Sequence, residues 1–224
     1  NDRAHPIKKN RPLASGKVKP QTALLLMAAL TVVGLGIFAW LSLPALSLAL
    51  AYLVLNVLYT YRLKQIPIID IFIISLGFVI RIAVGSAVGN IPLSMWIILM
   101  TYLLALFLAL AKRRDDVLLA EDGAKVRKSI DGYNLEFING AMMIMASVLI
   151  VAYISYTISP DCGRTYGSDY LSISVFFVLL GILRYMQITF VEQQSGSPTQ
   201  VLLKDLFLQL TLLGWLITFV LLIY

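Results

Sequence analysis

Charge and cysteine are what this chain of 224 residues has least of. Only 13% of its residues are Asp, Glu, Lys or Arg, about half the share of an average soluble domain. A disordered chain is excluded, because disorder goes with high net charge and low hydrophobicity. A single cysteine excludes an intrachain disulfide, a zinc finger and a CxxC redox pair. A single histidine excludes HExxH-type metal chemistry. What fills the chain instead is hydrocarbon: 59% of residues are hydrophobic and the mean hydropathy is +0.86. That composition suits a protein whose solvent is mostly lipid.

A helix needs about 20 apolar residues to cross a bilayer core of about 30 Å. Seven segments qualify: Thr22–Trp40, Ala45–Tyr61, Ile68–Gly89, Leu93–Ala111, Phe137–Ile158, Tyr170–Phe190 and Leu206–Tyr224. Breakers separate them, among them Ser42-Leu43-Pro44, Gln65-Ile66-Pro67 and Gly89-Asn90-Ile91-Pro92. Lipid leaves no partner for open strand edges, so an all-α polytopic bundle is predicted, as a single transmembrane domain over 1–224. The charges orient it. Six cations precede the first span, Arg62 and Lys64 follow the second, six more follow the fourth, and Lys204 follows the sixth; the alternate loops hold only Arg164. The basic loops, 1–21 and 112–136 above all, should be cytoplasmic. The net charge of +6 is then a topology signal rather than a nucleic-acid surface.

Three groups of polar residues stand out. Asp2-Arg3-Ala4-His5-Pro6-Ile7-Lys8-Lys9-Asn10-Arg11-Pro12 is either a positive-inside flank or a proline-stiffened anion site. In the second reading Arg and Lys hold phosphate oxygens and Asp2 holds Mg²⁺. Lys112-Arg113-Arg114-Asp115-Asp116 opens the longest cytoplasmic loop; it is either a solvated run of internal ion pairs or a lid over the bundle mouth. Asp70 and Arg81 lie inside the third span, eleven residues and so about three turns apart, on one face with Gly77 and Gly85 near the same stripe. They are either partners of other helices or the wall of a polar cavity, since charge at membrane depth is costly. Asn56, Tyr59, Glu136, Asn139, Arg184 and Gln187 are further polar residues at or within helix ends.

Asp2-Arg3-x-His5-Pro6-x-Lys8-x-x-Arg11-Pro12-x-Ala14-Ser15-Gly16 resembles the end of the first aspartate-rich motif of UbiA-type membrane prenyltransferases, with Asp2 as its last acid. Lys64, Asp70, Gly77, Phe78, Arg81 and Gly85 resemble a helix of the same family. Lys112-Arg113-Arg114 and Gly196-x-Pro198-x-x-Val201-Leu202-Leu203-x-Asp205 resemble later cytoplasmic loops of its branch that transfers phosphoribose to decaprenyl phosphate. The second motif departs from the Asp-x-x-x-Asp of aromatic prenyltransferases, having Asp115-Asp116 and Glu121-Asp122 instead.

The resemblance implies a fold of nine transmembrane helices, of which the seven read here are the third to ninth. The chain opens on Asn1, so two helices and further acids are expected upstream, and residues 1–224 alone are expected to be inactive. It implies an enzyme of the bacterial inner membrane, with its active site on the cytoplasmic side. It would move 5-phosphoribose from phosphoribosyl diphosphate (PRPP) to a polyprenyl phosphate, with Mg²⁺, releasing diphosphate. The alternative is transfer of a polyprenyl group from its diphosphate to an aromatic acceptor. In the first scheme Asp2, Asp115 and Asp116 are the catalytic, metal-holding acids. Arg3, His5, Lys8, Lys9 and Arg11 bind phosphate, with Lys112 and Arg113 also at the substrate. Lys64 and Arg81 meet the acceptor phosphate, and Asp70 orients one of them.

Overall fold

The computed structural model describes residues 12–13, 15–121, 128–160, 169–193 and 198–223. Among the described residues all regular structure is helical. The helices are α1 (Pro20–Leu41), α2 (Leu43–Tyr61), α3 (Ile69–Gly89), α4 (Met95–Glu121), α5 (Leu135–Thr157), α6 (Val175–Phe190), α7 (Pro198–Lys204) and α8 (Leu206–Ile223). The first five are long and apolar enough to span, as is Tyr170–Phe190, in which a 3₁₀ turn (Asp169–Ser174) leads into α6. The seventh span of the sequence reading is a bent pair, α7 and α8 meeting at 89°. Six spans and this pair account for the seven segments, and the chain is an integral membrane protein.

The breakers act through their local chemistry. Ser42 alone separates α1 from α2; its hydroxyl accepts from Ala45 N–H, and Pro44 sits in the first turn, where a missing N–H costs nothing. Asn90 ends α3 in the left-handed conformation, φ 51°, which Asn tolerates better than most residues. Asn134 caps α5, its side chain accepting from Phe137 N–H at 2.7 Å.

The packing falls into two compact units. In the first, α1 packs on α2 and α2 on α3. α1 buries no side chain, and most of its large apolar residues are exposed. The second unit holds α4 as far as Leu118, with α5 to α8; there α6 packs on α8 and on α5. Its core includes Phe107, Ile138, Met142 and Leu171, all nearly or fully buried. At Gly214 the α6–α8 approach leaves no room for a methyl group: a Cβ would stand 2.4 Å from the Phe177 ring. Gly77 makes an ordinary close contact with Tyr52, whereas Gly85 has nothing near it.

One boundary differs from the sequence reading. α4 does not stop at Ala111 but continues to Glu121. The Lys112–Glu121 stretch, expected to open a loop, is therefore helix. No Gly or Pro interrupts it, and its Ala, Leu, Lys, Arg and Glu are good helix formers. Its charges stand where an apolar span would have ended, so hydropathy placed the end too early.

Candidate functional site

Asp2, Arg3, His5, Lys8, Lys9 and Arg11 lie outside the described residues, as do Asp122 to Arg127. The candidate residues that are described fall into separate groups: the start and middle of α3 in the first unit, and the polar turn of α4 and a cavity in the second.

On α4, Lys112 is exposed, Arg113 and Arg114 are buried, and Asp115 and Asp116 are partly buried. Arg113, 1% exposed, pairs through Nη1 with Asp116 one turn on. Arg114, 5% exposed, reaches across to two other helices. Its Nε donates to Asn139 Oδ1 on α5 at 2.9 Å, and its Nη1 donates to the Thr189 carbonyl of α6 at 2.7 Å. Its guanidinium also lies 5.3 Å from the Phe190 ring centroid. A planar, permanently charged group with forked donors is suited to this bridge; Lys is not. In the sequence Arg114 stood in the second polar group without a role of its own, and Asn139 was one of several polar residues at helix ends. Adjacent arginines carry no sign of which one points inward.

On α3 the approach is strained. Ile68, before the first turn, has φ 68° and ψ −48°, and Ile69 N–H donates back to the Pro67 carbonyl at 2.7 Å. This is a tight three-residue turn at a β-branched residue, a conformation costing on the order of 1–3 kcal/mol. It delivers Asp70, fully buried, into the first turn of α3. There the helix dipole favours a carboxylate. Lys64 stands just before, half-buried in a 3₁₀ turn, Leu63–Gln65. Asp70 and Arg81 do share a face, but eleven residues along a helix are about 16 Å, so they do not pair. Arg81 is held instead by rings. Its Nε donates to the Tyr52 hydroxyl at 3.1 Å, Nη2 donates to the same oxygen, and its Cζ lies 5.1 Å from the Tyr52 centroid and 4.8 Å from that of Phe78. Its remaining donors have no protein acceptor among the described residues, and the side chain is exposed. Tyr52 was missed: a tyrosine in an apolar helix has no pattern that marks it.

The second unit contains a cavity of about 700 Å³. Its walls are mostly apolar and aromatic, with Trp96, Phe107, Tyr156, Tyr185 and Phe219 among them. Three polar groups there, those of Trp215, Tyr153 and Thr211, are engaged within the protein. Trp215 Nε1 donates to the Tyr153 hydroxyl (2.8 Å), which donates to Ser174 Oγ (2.8 Å), which donates to the Leu171 carbonyl (2.6 Å). Thr211 donates to the Phe207 carbonyl. The Tyr185 hydroxyl, also at the wall, is buried with no hydrogen-bond partner among the described residues. The cavity therefore suits a mostly apolar occupant.

At the elbow between α7 and α8, Arg184 of α6 meets Asp205 (2.6 Å) and Glu192 (2.8 Å). The Arg184 hydrogen bond holds the Asp205 carboxyl below the usual carboxylate range, and the bond from Leu208 N–H acts in the same direction against some desolvation.

Among the described residues no three Asp, Glu, His or Cys side chains gather at one point. Magnesium asks for less: one or two carboxylates, the rest of its octahedron coming from water and substrate phosphates. Asp115 and Asp116, partly buried on one turn of α4, fit that demand. Both acids already interact within the protein, Asp116 with Arg113 and Asp115 with Arg114 nearby.

The sequence matches the model of the UbiA prenyltransferase family over residues 1–211. It is 32% identical to a decaprenyl-phosphate phosphoribosyltransferase of Mycolicibacterium smegmatis, over 96% of this chain and 70% of that protein. It is 30% identical to the protein of the same name in Corynebacterium glutamicum, over 100% of this chain and 68% of that one. In structure it resembles a UbiA homologue of Archaeoglobus fulgidus solved with DMAPP and Mg²⁺: TM-score 0.68, 16% identity, covering 98% of this chain and 77% of that one. A family match over nearly the whole length, spanning helices and the same fold agree: the chain belongs to the UbiA prenyltransferase family and is a membrane-embedded transferase.

Proposed function

We propose that the protein transfers 5-phosphoribose from PRPP to a polyprenyl phosphate. In that reaction an oxygen of the lipid phosphate forms a bond to ribose C1, the bond from C1 to diphosphate breaks, and diphosphate leaves with the electron pair. The observation that carries the reading is the second unit itself: one helix, α4, has an apolar cavity along its length and a turn of two arginines and two aspartates beyond it. A lipid phosphate asks for that sequence of surroundings, a dry groove for the chain and a charged end for the head. The names of the relatives favour phosphoribose over other groups.

Asp2, Asp115 and Asp116 are the proposed metal-holding acids. Magnesium, when bound, neutralises charge on the leaving diphosphate. Arg3, His5, Lys8, Lys9 and Arg11 are proposed to hold phosphate oxygens on the same basic side. Lys112, exposed at the turn, is the substrate contact there; Arg113, gripped by Asp116, sets the position of that acid. Lys64 is proposed to meet the acceptor phosphate at the start of α3. Arg81, about 18 Å along that helix, meets an anion only if it enters the bundle, and its uncommitted donors allow that. The site is proposed to face the cytoplasm of a bacterial cell, following the charges of the loops.

The test is label transfer from ribose-labelled PRPP into lipid, using membranes that contain the whole gene product, polyprenyl phosphate and Mg²⁺. Magnesium-dependent label in lipid is expected, abolished by Asp2→Asn and strongly reduced by Asp115→Asn. No transfer, together with consumption of a polyprenyl diphosphate in the presence of an aromatic acceptor, would move the protein to prenyl transfer.

A further inference from the structure

The stretch from Pro198 to Asp205 takes no part in the reaction proposed above, yet its geometry is closely specified. The elbow between α7 and α8 satisfies its own backbone. Gln209 Nε2 donates to the Leu202 and Leu203 carbonyls, 3.0 and 2.8 Å away, at the end of α7. Asp205 Oδ1 accepts from Leu208 N–H, 2.8 Å away, at the start of α8. Helix ends need such partners, the more so at a sharp bend in an apolar setting. These bonds are local: they fix the angle of the elbow but not its direction relative to α6. Direction comes from Arg184. Its Nε and Nη2 both donate to Asp205 Oδ2, 3.1 and 2.6 Å away, and its Nη1 reaches Glu192 and Gln187. The pair is partly covered, with side-chain exposures of 21% and 15%.

Direction matters because α7 is a wall of the cavity. Pro198, Thr199 and Leu202 line it together with Leu208 of α8. Val201, on the same short helix, is buried. A helix of seven residues has little stability of its own, so its place depends on its ties.

We propose that Arg184 is a positioning residue: its grip on Asp205 holds α7 as a movable wall of the apolar cavity and so sets how readily the cavity admits an isoprenoid chain. The chain in this statement rests on the lipid reading of the cavity given above. The grip itself does not.

Both halves are tested by cysteine labelling of the whole gene product in detergent micelles. The background is free of other cysteines, Cys162→Ser included. Val201→Cys reports on α7, and Ile188→Cys, buried elsewhere on α6, reports on the rest of the unit. Arg184→Gln is expected to raise maleimide labelling at Val201→Cys about tenfold, a typical coupling for a partly buried pair, while Ile188→Cys stays protected. Arg184→Lys should restore part of the protection, since a lysine keeps the charge but not the fork. Geranylgeranyl phosphate should slow labelling at Val201→Cys in the parent. In the transfer assay Arg184→Gln should raise KM for the lipid and leave KM for PRPP unchanged. Unchanged labelling in Arg184→Gln overturns the positioning role. Equal rises at both reporters mark Arg184 as a general structural residue and overturn it too. Labelling that depends on Arg184 but never on the lipid overturns the isoprenoid occupant, and with it the reading of the cavity, while the grip stands.

Discussion

Arg81 and Arg114 are both arginines in apolar helices, and the two units treat them oppositely. In the first unit Arg81 is exposed, lies against the rings of Tyr52 and Phe78, and directs two N–H groups at a single phenol oxygen. In the second unit Arg114 is buried and holds α5 and α6 to α4 through an amide and a backbone carbonyl. Rings hold a cation without occupying all of its donors, so Arg81 is placed and still able to receive an anion. Arg114 also commits two N–H groups, but it is 5% exposed and ties α4 to two other helices, so it is architecture. Position at membrane depth alone does not separate binding from structure; the exposure of the guanidinium and the number of helices it ties together do.

Removing each arginine breaks that comparison most directly. Arg114→Ala should destabilise the protein by about 3 kcal/mol or more, because it strands the Asn139 amide and the Thr189 carbonyl in an apolar core. Denaturant unfolding in micelles measures this, and a loss below about 1 kcal/mol would remove the bridging role. Glycines give the next contrast. Gly214→Ala should cost about 1–3 kcal/mol by driving Phe177 from its place, and Phe177→Leu should recover part of it. Gly85→Ala, with open space around it, should be neutral or slightly stabilising. Within the second unit, Tyr153→Phe interrupts the chain from Trp215 to Ser174 and should cost about 1–2 kcal/mol in unfolding free energy.

Arg81→Ala should move stability by only about 0.5–1 kcal/mol, the scale of an exposed cation–π contact. It should nevertheless raise KM for the lipid phosphate; unchanged transfer kinetics would return Arg81 to a packing role. The smallest effect is one of pH. The Asp205 carboxyl is held below its usual range in the folded protein, so the pair contributes fully above the unfolded value of about 3.9 and fades only as pH falls through the lower folded value. The Tm difference between the parent and Asp205→Asn should therefore be flat from pH 7 to pH 5 and shrink only in stronger acid. A difference that disappears above pH 5 would contradict the pairing.

Much of this was legible in the residues. Hydropathy found the six spans among the described residues and the longer arm of the bent pair, because a bilayer demands about 20 apolar residues whatever they later pack against. Ser42 and Asn90 stood in the breaker stretches, and each caps a helix there, because capping is chemistry within four residues. The end of α4 was misplaced because a hydropathy window ends where charge begins, whereas a helix ends where its hydrogen bonds do. The face shared by Asp70 and Arg81 was readable from their spacing; that the two stand too far apart to pair, and that Tyr52 and Phe78 take Arg81, needed coordinates.

The sequence by itself determined the solvent, the spans and the family, since each follows from composition, from periodicity or from short motifs read along the chain. Only the tertiary structure decided which arginine of the pair on α4 is a bridge, where the cavity lies, and that Arg184 and Asp205 meet at the elbow. Those depend on pairs of residues 21 to 75 positions apart, brought together by helix packing, and no local pattern encodes a distance through space.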